Sequence, residues 1–345
     1  MPAGITRTDS MAYVGREPWH GLGTRVEGDA MTAVEAMEAA DLDWEVKALP
    51  VFVDTFNHKA DTFDPAYMSE TMVEIESRKA ITRVDTGEVF TVMTNRYTPV
   101  QNSEAFNFFD TIVGAGDAVY HTAGSLFGGK KVWILAKLEG EYTLDNGESL
   151  ESFILLDNSH DGSSALRMRL TTVRVVCSNT LSLASGNRPA FATRHTSGIM
   201  NRVTQARNLL GLNQVHMDRF MEQCNRIAEQ EFSGRDMTRL TYKLLDLNPD
   251  KSIEEQYPTR REAGYKLQNL FYAGVGNNGE TRWDAFNAVT EFSDYHRGEL
   301  QAETEDVTSR RLNRTWFSKG RNIREEAFRI LTMPKVEMDS AISLL

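Results

Sequence analysis

Residues 157–207 hold seven arginines (Arg167, Arg169, Arg174, Arg188, Arg194, Arg202, Arg207), no lysine and only two acids, Asp157 and Asp161. Seven against two gives the segment a formal +5 in a chain of net −11, so the remainder carries −16. A guanidinium is a planar fork of donors that matches phosphate and carboxylate oxygens, and a local block of them in an acidic protein points to an anion site. Leu166, Met168 and Leu170 alternate with Arg167 and Arg169. That period of two predicts a strand with one apolar and one basic face. Beyond Thr171 and Thr172 the phase flips to Val173, Val175 and Cys177. A bulge or bend there would turn Arg174 onto the face of the first two arginines. Side chains two apart on a strand stand about 6–7 Å apart, near the spacing of successive phosphates in an extended single strand. The competing account is that the arginines are solvated or paired with some of the 49 acids.

Other residues can join this chemistry. Arg194 lies downstream, His160 sits in the turn before the strand, and Tyr97 and Trp133 offer aromatic faces on which bases stack. The expected nucleic-acid-binding set is therefore Arg167, Arg169, Arg174, Arg194, His160, Tyr97 and Trp133. His160-Asp161, with His195, is also the best constellation for a general base or a metal, although no set of converging carboxylates accompanies it. Gly15, Gly21 and Gly23 do not make a phosphate loop, lacking the Gly-Lys-Ser/Thr ending. His20 is a lone histidine, more often structural than functional. Without CxxC, HExxH or a clustered His/Cys set, neither a metal nor another cofactor is expected.

The elements that position these residues follow from periodicity. Thr32 and Glu35 form a capping box for a helix over AVEAMEAADL. Trp44 begins a strand, WEVKALPVFV, and residues 55–77 read as an exposed loop or long hairpin tip. Two alternating strands surround Asp85-Thr86-Gly87, and Asn102 or Ser103 caps a helix with Ala105, Phe106, Phe109, Ile112 and Val113 on one face. Strand regions YHTAGSLFGGKKVWILAKL and ESFILLDN precede the turn Asn158–Gly162 and the arginine strand. Ser178 or Asn179 is expected to cap a short helix over 180–184.

From Thr196 a seam of Ile199, Val203, Ala206, Leu210, Met217, Phe220, Cys224 and Ile227 predicts long helix–helix packing. The packing is either intrachain or a homo-oligomer seam through Ile199–Ile227. Helices over 260–272, 283–296 and 323–331 complete the chain. The expected class is α+β, a mainly antiparallel sheet with helices on one side, followed by a mainly helical C-terminal half. The expected division is an α+β domain over 1–195 and a helical region over 196–345.

Composition bounds the setting. With 41% hydrophobic and 25% charged residues the chain is an ordinary globular protein. No apolar run reaches the roughly 18 residues of a membrane span, and the N-terminus lacks a secretory core. Cys177 and Cys224 fall in apolar patterns and are expected to be unbridged thiols of a reducing, cytoplasmic compartment.

YVGREPWHGLG, NRYTPVQNSEAFNFFD, TAGSLFGGKKVWILAKL, NSHDGSSALRMRLTTVRVVCSNTLSLA, RHT and WDAFNAVTEFSDYHR together resemble the phage/plasmid-like protein family, whose members occur on bacteriophages, prophages and plasmids. The resemblance runs in order over most of the chain and implies a mobile-element protein in a bacterial cytoplasm. The family is a domain of unknown function and supplies no site residues. The leading expectation is a protein that binds single-stranded nucleic acid, of the annealing type, whose superfamily core the helix–strand–strand–strand–helix order of residues 44–113 loosely resembles. The alternatives are an acidic module binding a host protein, such as a host-defence antagonist, and a nuclease-like hydrolase.

Overall fold

The computed structural model describes residues 10–14, 23–28, 31–55, 72–113, 118–174, 179–182, 191–193, 213–296 and 319–343. In chain order the elements begin with β1 (Met11–Tyr13), β2 (Thr24–Arg25), α1 (Ala33–Ala39), β3 (Val46–Asp54), β4 (Met72–Arg83), β5 (Val89–Thr94) and α2 (Asn102–Val113). The strands β6 (Ala118–Leu126), β7 (Lys131–Thr143), β8 (Ser149–Ser159), β9 (Leu166–Arg174), β10 (Asn179–Ser182) and β11 (Phe191–Thr193) follow. The helical half holds α3 (Asn213–Ala228), α4 (Gly234–Leu245), α5 (Pro258–Ala273), α6 (Arg282–Glu291) with a π-helical turn (Phe292–His296), α7 (Lys319–Leu331) and α8 (Lys335–Ala341).

The fold is α+β, as the periodicity predicts. One sheet runs β10-β9-β8-β7-β6-β1-β2, with β11 also on β9, and a smaller sheet runs β3-β4-β5. Among the described residues every strand pairing is antiparallel except β1 with β2. Strand alternation gives the large sheet two different faces. On the first, Val132, Ile134, Ile154, Leu156 and Met168 form one core with Ala36 of α1 and Phe106 and Phe109 of α2. Farther along that face Leu150 joins Met217, Phe220, Leu267, Phe286 and Phe328 of the C-terminal helices, and Leu170 touches both groups. The second face carries Met11, Leu126, Trp133, Leu135, Phe153 and Leu155.

Local signals set the helix starts. Thr32 with Glu35, Ser233 with Asp236 and Thr281 with Asp284 each form a reciprocal capping box, satisfying two backbone donors per helix. Pro258 opens α5, where its missing N–H costs nothing.

Several expectations are corrected. Residues 72–77 belong to β4, not to a loop, because the β3–β4 ladder continues past a bulge at Pro50/Phe52 out to Asp54↔Met72. Asn179–Ser182 is a strand and not a short helix: it pairs residue by residue with the open edge of β9, from Asn179↔Arg174 to Ser182↔Thr171. The ladder satisfies more backbone groups than one isolated turn could. The expected bulge at Thr171–Thr172 is absent, since β8 and β9 stay in register from Leu150↔Arg174 to Asp157↔Arg167. The described part of the long seam is intrachain: Met217, Phe220, Cys224 and Ile227 are buried in the helical core. Its residues 196–212 lie outside the described residues. Cys224 is a free, buried thiol, and Cys177 also lies outside the described residues. No helix among the described residues is long and apolar enough to cross a membrane.

Candidate functional site

The β8–β9 hairpin gathers the charged groups. Gly162 sits in its turn with φ of 74°, a left-handed conformation that glycine takes without strain. Asp157 and Arg167, each five residues from Gly162, are directly paired across the ladder, with Arg169 one pleat farther on the same face. Asp157 Oδ2 accepts from Arg167 Nε at 3.0 Å and Nη2 at 2.6 Å, and its Oδ1 accepts from Arg169 Nη1 at 2.6 Å. The carboxylate is fully buried, whereas the Arg167 and Arg169 side chains keep 21% and 11% of their exposure. Ser164 Oγ donates a longer bond, 3.5 Å, to the same carboxylate.

Lys131 lies one pleat from Trp133 on this face, paired with Ser159 of β8. Burial pushes its pKa below the usual lysine value, and Arg167 and Arg169 push the same way against the pull of Asp157 and Asp161. Asp161 caps the turn, accepting from Ser159 Oγ at 2.8 Å and from Ser163 N–H at 2.9 Å. Burial raises the Asp161 pKa, but bonds from Ser163 and Ser159 and the charge of Lys131 outweigh it, so the carboxyl titrates below its usual range. Among the described residues, Lys131, Arg167 and Arg169 stand around Asp157 and Asp161.

The other expected site residues are placed as follows. Trp133 is paired with Asp157 but buried in the apolar cluster of the second face. Tyr97 is half-buried and donates its hydroxyl to Ser159 O at 3.2 Å. Burial first, and Asp161 second, raise its pKa. His160 turns to the first face, fully buried, with Nε2 3.0 Å from Asn102 Oδ1 and its ring 5.3 Å from Trp44 and 6.0 Å from Phe90. Asn102 Nδ2 donates to Leu42 O at 3.0 Å, which leaves Oδ1 to accept from His160 Nε2–H. Such a histidine is a core strut. Position 174 has the parity of 166, 168 and 170, opposite to that of Arg167 and Arg169. The Arg174 side chain, Arg194 and His195 lie outside the described residues.

Asp157 and Lys131 are the members that the sequence reading missed. The detectable signal was symmetry: in a hairpin turning at Gly162, positions 157 and 167 must face each other. Among the described residues no group of three or more His, Cys, Asp or Glu side chains is arranged to hold a metal ion.

No curated protein and no solved structure matches the chain. Residues 89–316, well over half of the chain and including the whole β8–β9 hairpin, match the family model described as a domain of unknown function, and the chain is therefore a member of the DUF932 family.

Proposed function

We propose that the chain is a mobile-element protein of the bacterial cytoplasm that binds the phosphates of single-stranded nucleic acid at the β8–β9 hairpin, without catalysis. The observation that carries this reading is the gathering of Lys131, Arg167 and Arg169 around Asp157 on one sheet face. These three cations share one patch of a protein that is acidic as a whole, and the Arg167 side chain keeps 21% of its exposure. Asp157 holds the two guanidiniums in fixed geometry, which lowers the entropy cost of a phosphate contact. The resemblance to phage and plasmid proteins supports the setting, and the order α1-β3-β4-β5-α2 supports the annealing type. The direction of His160 Nε2 at Asn102 favours this reading over the hydrolase alternative.

The test is fluorescence anisotropy of labelled single-stranded DNA and RNA over a salt series. The expected result is binding whose log K falls with log salt by about 0.7 per neutralised phosphate. Lys131→Met and Arg167→Gln should each flatten that slope by about 0.7, in variants whose melting curves confirm folding. Absence of salt-dependent binding by the unmodified chain sinks the reading.

A further inference from the structure

Arg167 and Arg169 stand two apart on β9, a spacing at which separate side chains could follow successive phosphates. Both turn onto one carboxylate instead. Asp157 Oδ2 accepts from Nε and Nη2 of Arg167, and Oδ1 accepts from Nη1 of Arg169. Lys131 comes from the other side of β8, and its pairing with Ser159 sets it one pleat nearer the turn than Trp133, which pairs with Asp157. Lys131, Arg167 and Arg169 thus approach one place from the two strands that flank β8, and do not form a row along one strand.

That place is open at the turn and closed behind. At the turn Gly162 and Ser163 are exposed. Arg167, the nearer of the two arginines, keeps more exposure than Arg169, and Asp157 leaves its Nη1 outside the pair. Past Arg169 the face becomes apolar and buried. Arg169 pairs with Leu155 and Thr171 with Phe153, and Leu155 and Phe153 join Trp133 and Leu135 in one cluster. Lys137, farther along β7 beyond Leu135, is held by Glu151 Oε1 at 2.6 Å. A strand running along β9 past Arg169 would carry its next phosphates over Phe153 and Leu155, a desolvated surface that charge avoids.

We infer that the hairpin takes the terminal phosphate of a single strand, a phosphomonoester entering from the turn, and not the diesters in the middle of the chain. A phosphomonoester carries a charge of about −1.5 to −2 at neutral pH and three strong acceptor oxygens, whereas a diester carries one charge on two free oxygens. The fuller charge and the third oxygen suit donors that converge from two strands. A strand end can also enter a site closed at the back, which a continuous chain would have to pass through. The inference rests on the single-strand reading above and narrows it to strand ends.

Fluorescence anisotropy with one short oligonucleotide in three forms tests it: 5′-phosphorylated, 3′-phosphorylated, and hydroxyl at both ends, each labelled internally so that neither end is blocked. At least one phosphorylated form should bind about tenfold tighter or more than the hydroxyl form, because charge-assisted bonds to the added charge form only there. Which form gains shows the polarity of the bound end. Arg167→Gln should bring that ratio close to one, in a variant whose melting curve confirms folding; the comparison of forms itself needs no substitution. Equal affinity of all three forms, with salt-dependent binding intact, overturns the inference and leaves the single-strand reading standing. A preference that survives Arg167→Gln overturns it too, since the end is then held elsewhere. So does a nucleoside monophosphate that binds as tightly as the phosphorylated strand, because the site then takes free nucleotides. If no form binds, both readings fall.

Discussion

Asp157 does the most work of any single residue in the β8–β9 hairpin, because two guanidiniums depend on one carboxylate. Asp157→Asn removes the buried carboxylate charge that both of these half-buried arginines share. The expected cost is about 3–5 kcal/mol, read as a lower urea midpoint. Replacing Asp157, Arg167 and Arg169 together by leucine and methionine should recover most of that stability, since apolar packing replaces a buried triad at little or no cost. A triple variant no better than Asp157→Asn would mean that the carboxylate matters for some reason other than charge. A second residue sets a pH response. His121 lies 5.4 Å from the Phe153 ring with Nδ1 2.7 Å from Thr122 Oγ1. Burial holds its pKa below the usual 6.5, with Glu151 opposing and Lys137 adding to the shift. The unfolded chain takes up this proton as pH drops through about 6.5, and the folded chain resists it. Stability from this group is therefore complete above that pH and lost as pH falls through the lower folded value. Urea midpoints at about pH 7.5 and 5.5 should differ for the unmodified chain, and less for His121→Asn.

At the scale of elements, the hairpins were the legible part and the strand phases were not. Asp85-Thr86-Gly87 and Asp161-Gly162 marked real turns because each needs a residue with positive φ, here Gly87 and Gly162. The capping box at Thr32 was equally readable, since its two bonds involve residues only three apart. The phase flip at Thr171 misled because the sheet is buried on both faces. Thr172 is fully buried on the first face, while Val173 packs beside Phe153 and Leu155 on the second. An apolar residue of either parity is satisfied there, so alternation no longer reports a bulge. The Asp157 pairing was hidden for a related reason, as it depends on register across the turn and not on local pattern. The β6–β7 turn shows what a tertiary contact adds. Phe127, Gly128 and Gly129 have successive φ of 61°, 73° and 93°. A Cβ on Gly129 would stand 2.8 Å from Trp44 Cζ2 and 3.3 Å from Arg83 Nη1. Gly147 has a similar φ of 85° and nothing within 4 Å. Gly147→Ala should thus cost only the left-handed backbone term, about 1–2 kcal/mol. Gly129→Ala should cost about 1–3 kcal/mol more from overpacking. Equal thermal shifts in the two variants would show that the Trp44 contact yields freely.

At the scale of the whole molecule, the question is whether the strand-rich half and the helical half unfold as one. The division at residue 195 follows the change of apolar period, but the cores do not respect it. Leu144 and Leu150, from the β7–β8 hairpin, are buried among Phe220, Trp283 and Phe328 of the helices. The hairpin turn is also tied across: Asp145 N–H donates to Asn225 Oδ1 at 3.1 Å, and Trp283 Nε1 donates to Glu148 Oε2 at 3.1 Å. Leu170 packs against both apolar groups from β9. Removing either half would strand these side chains in water, so neither half has a complete core alone. The chain should therefore unfold in a single transition. Tryptophans placed in both halves can test this, because Trp44 and Trp133 report on the strands and Trp283 on the helices. In variants that keep one reporter at a time, both signals should give the same urea midpoint. Leu150→Ala opens a cavity at the junction and should cost about 2–5 kcal/mol. That loss should move the two midpoints together, since the side chain belongs to the strands by sequence and to the helical core by contact. If instead the Trp283 signal shifts while the Trp44 and Trp133 signals stay in place, the halves are separate folding units and the helical core merely borrows Leu150.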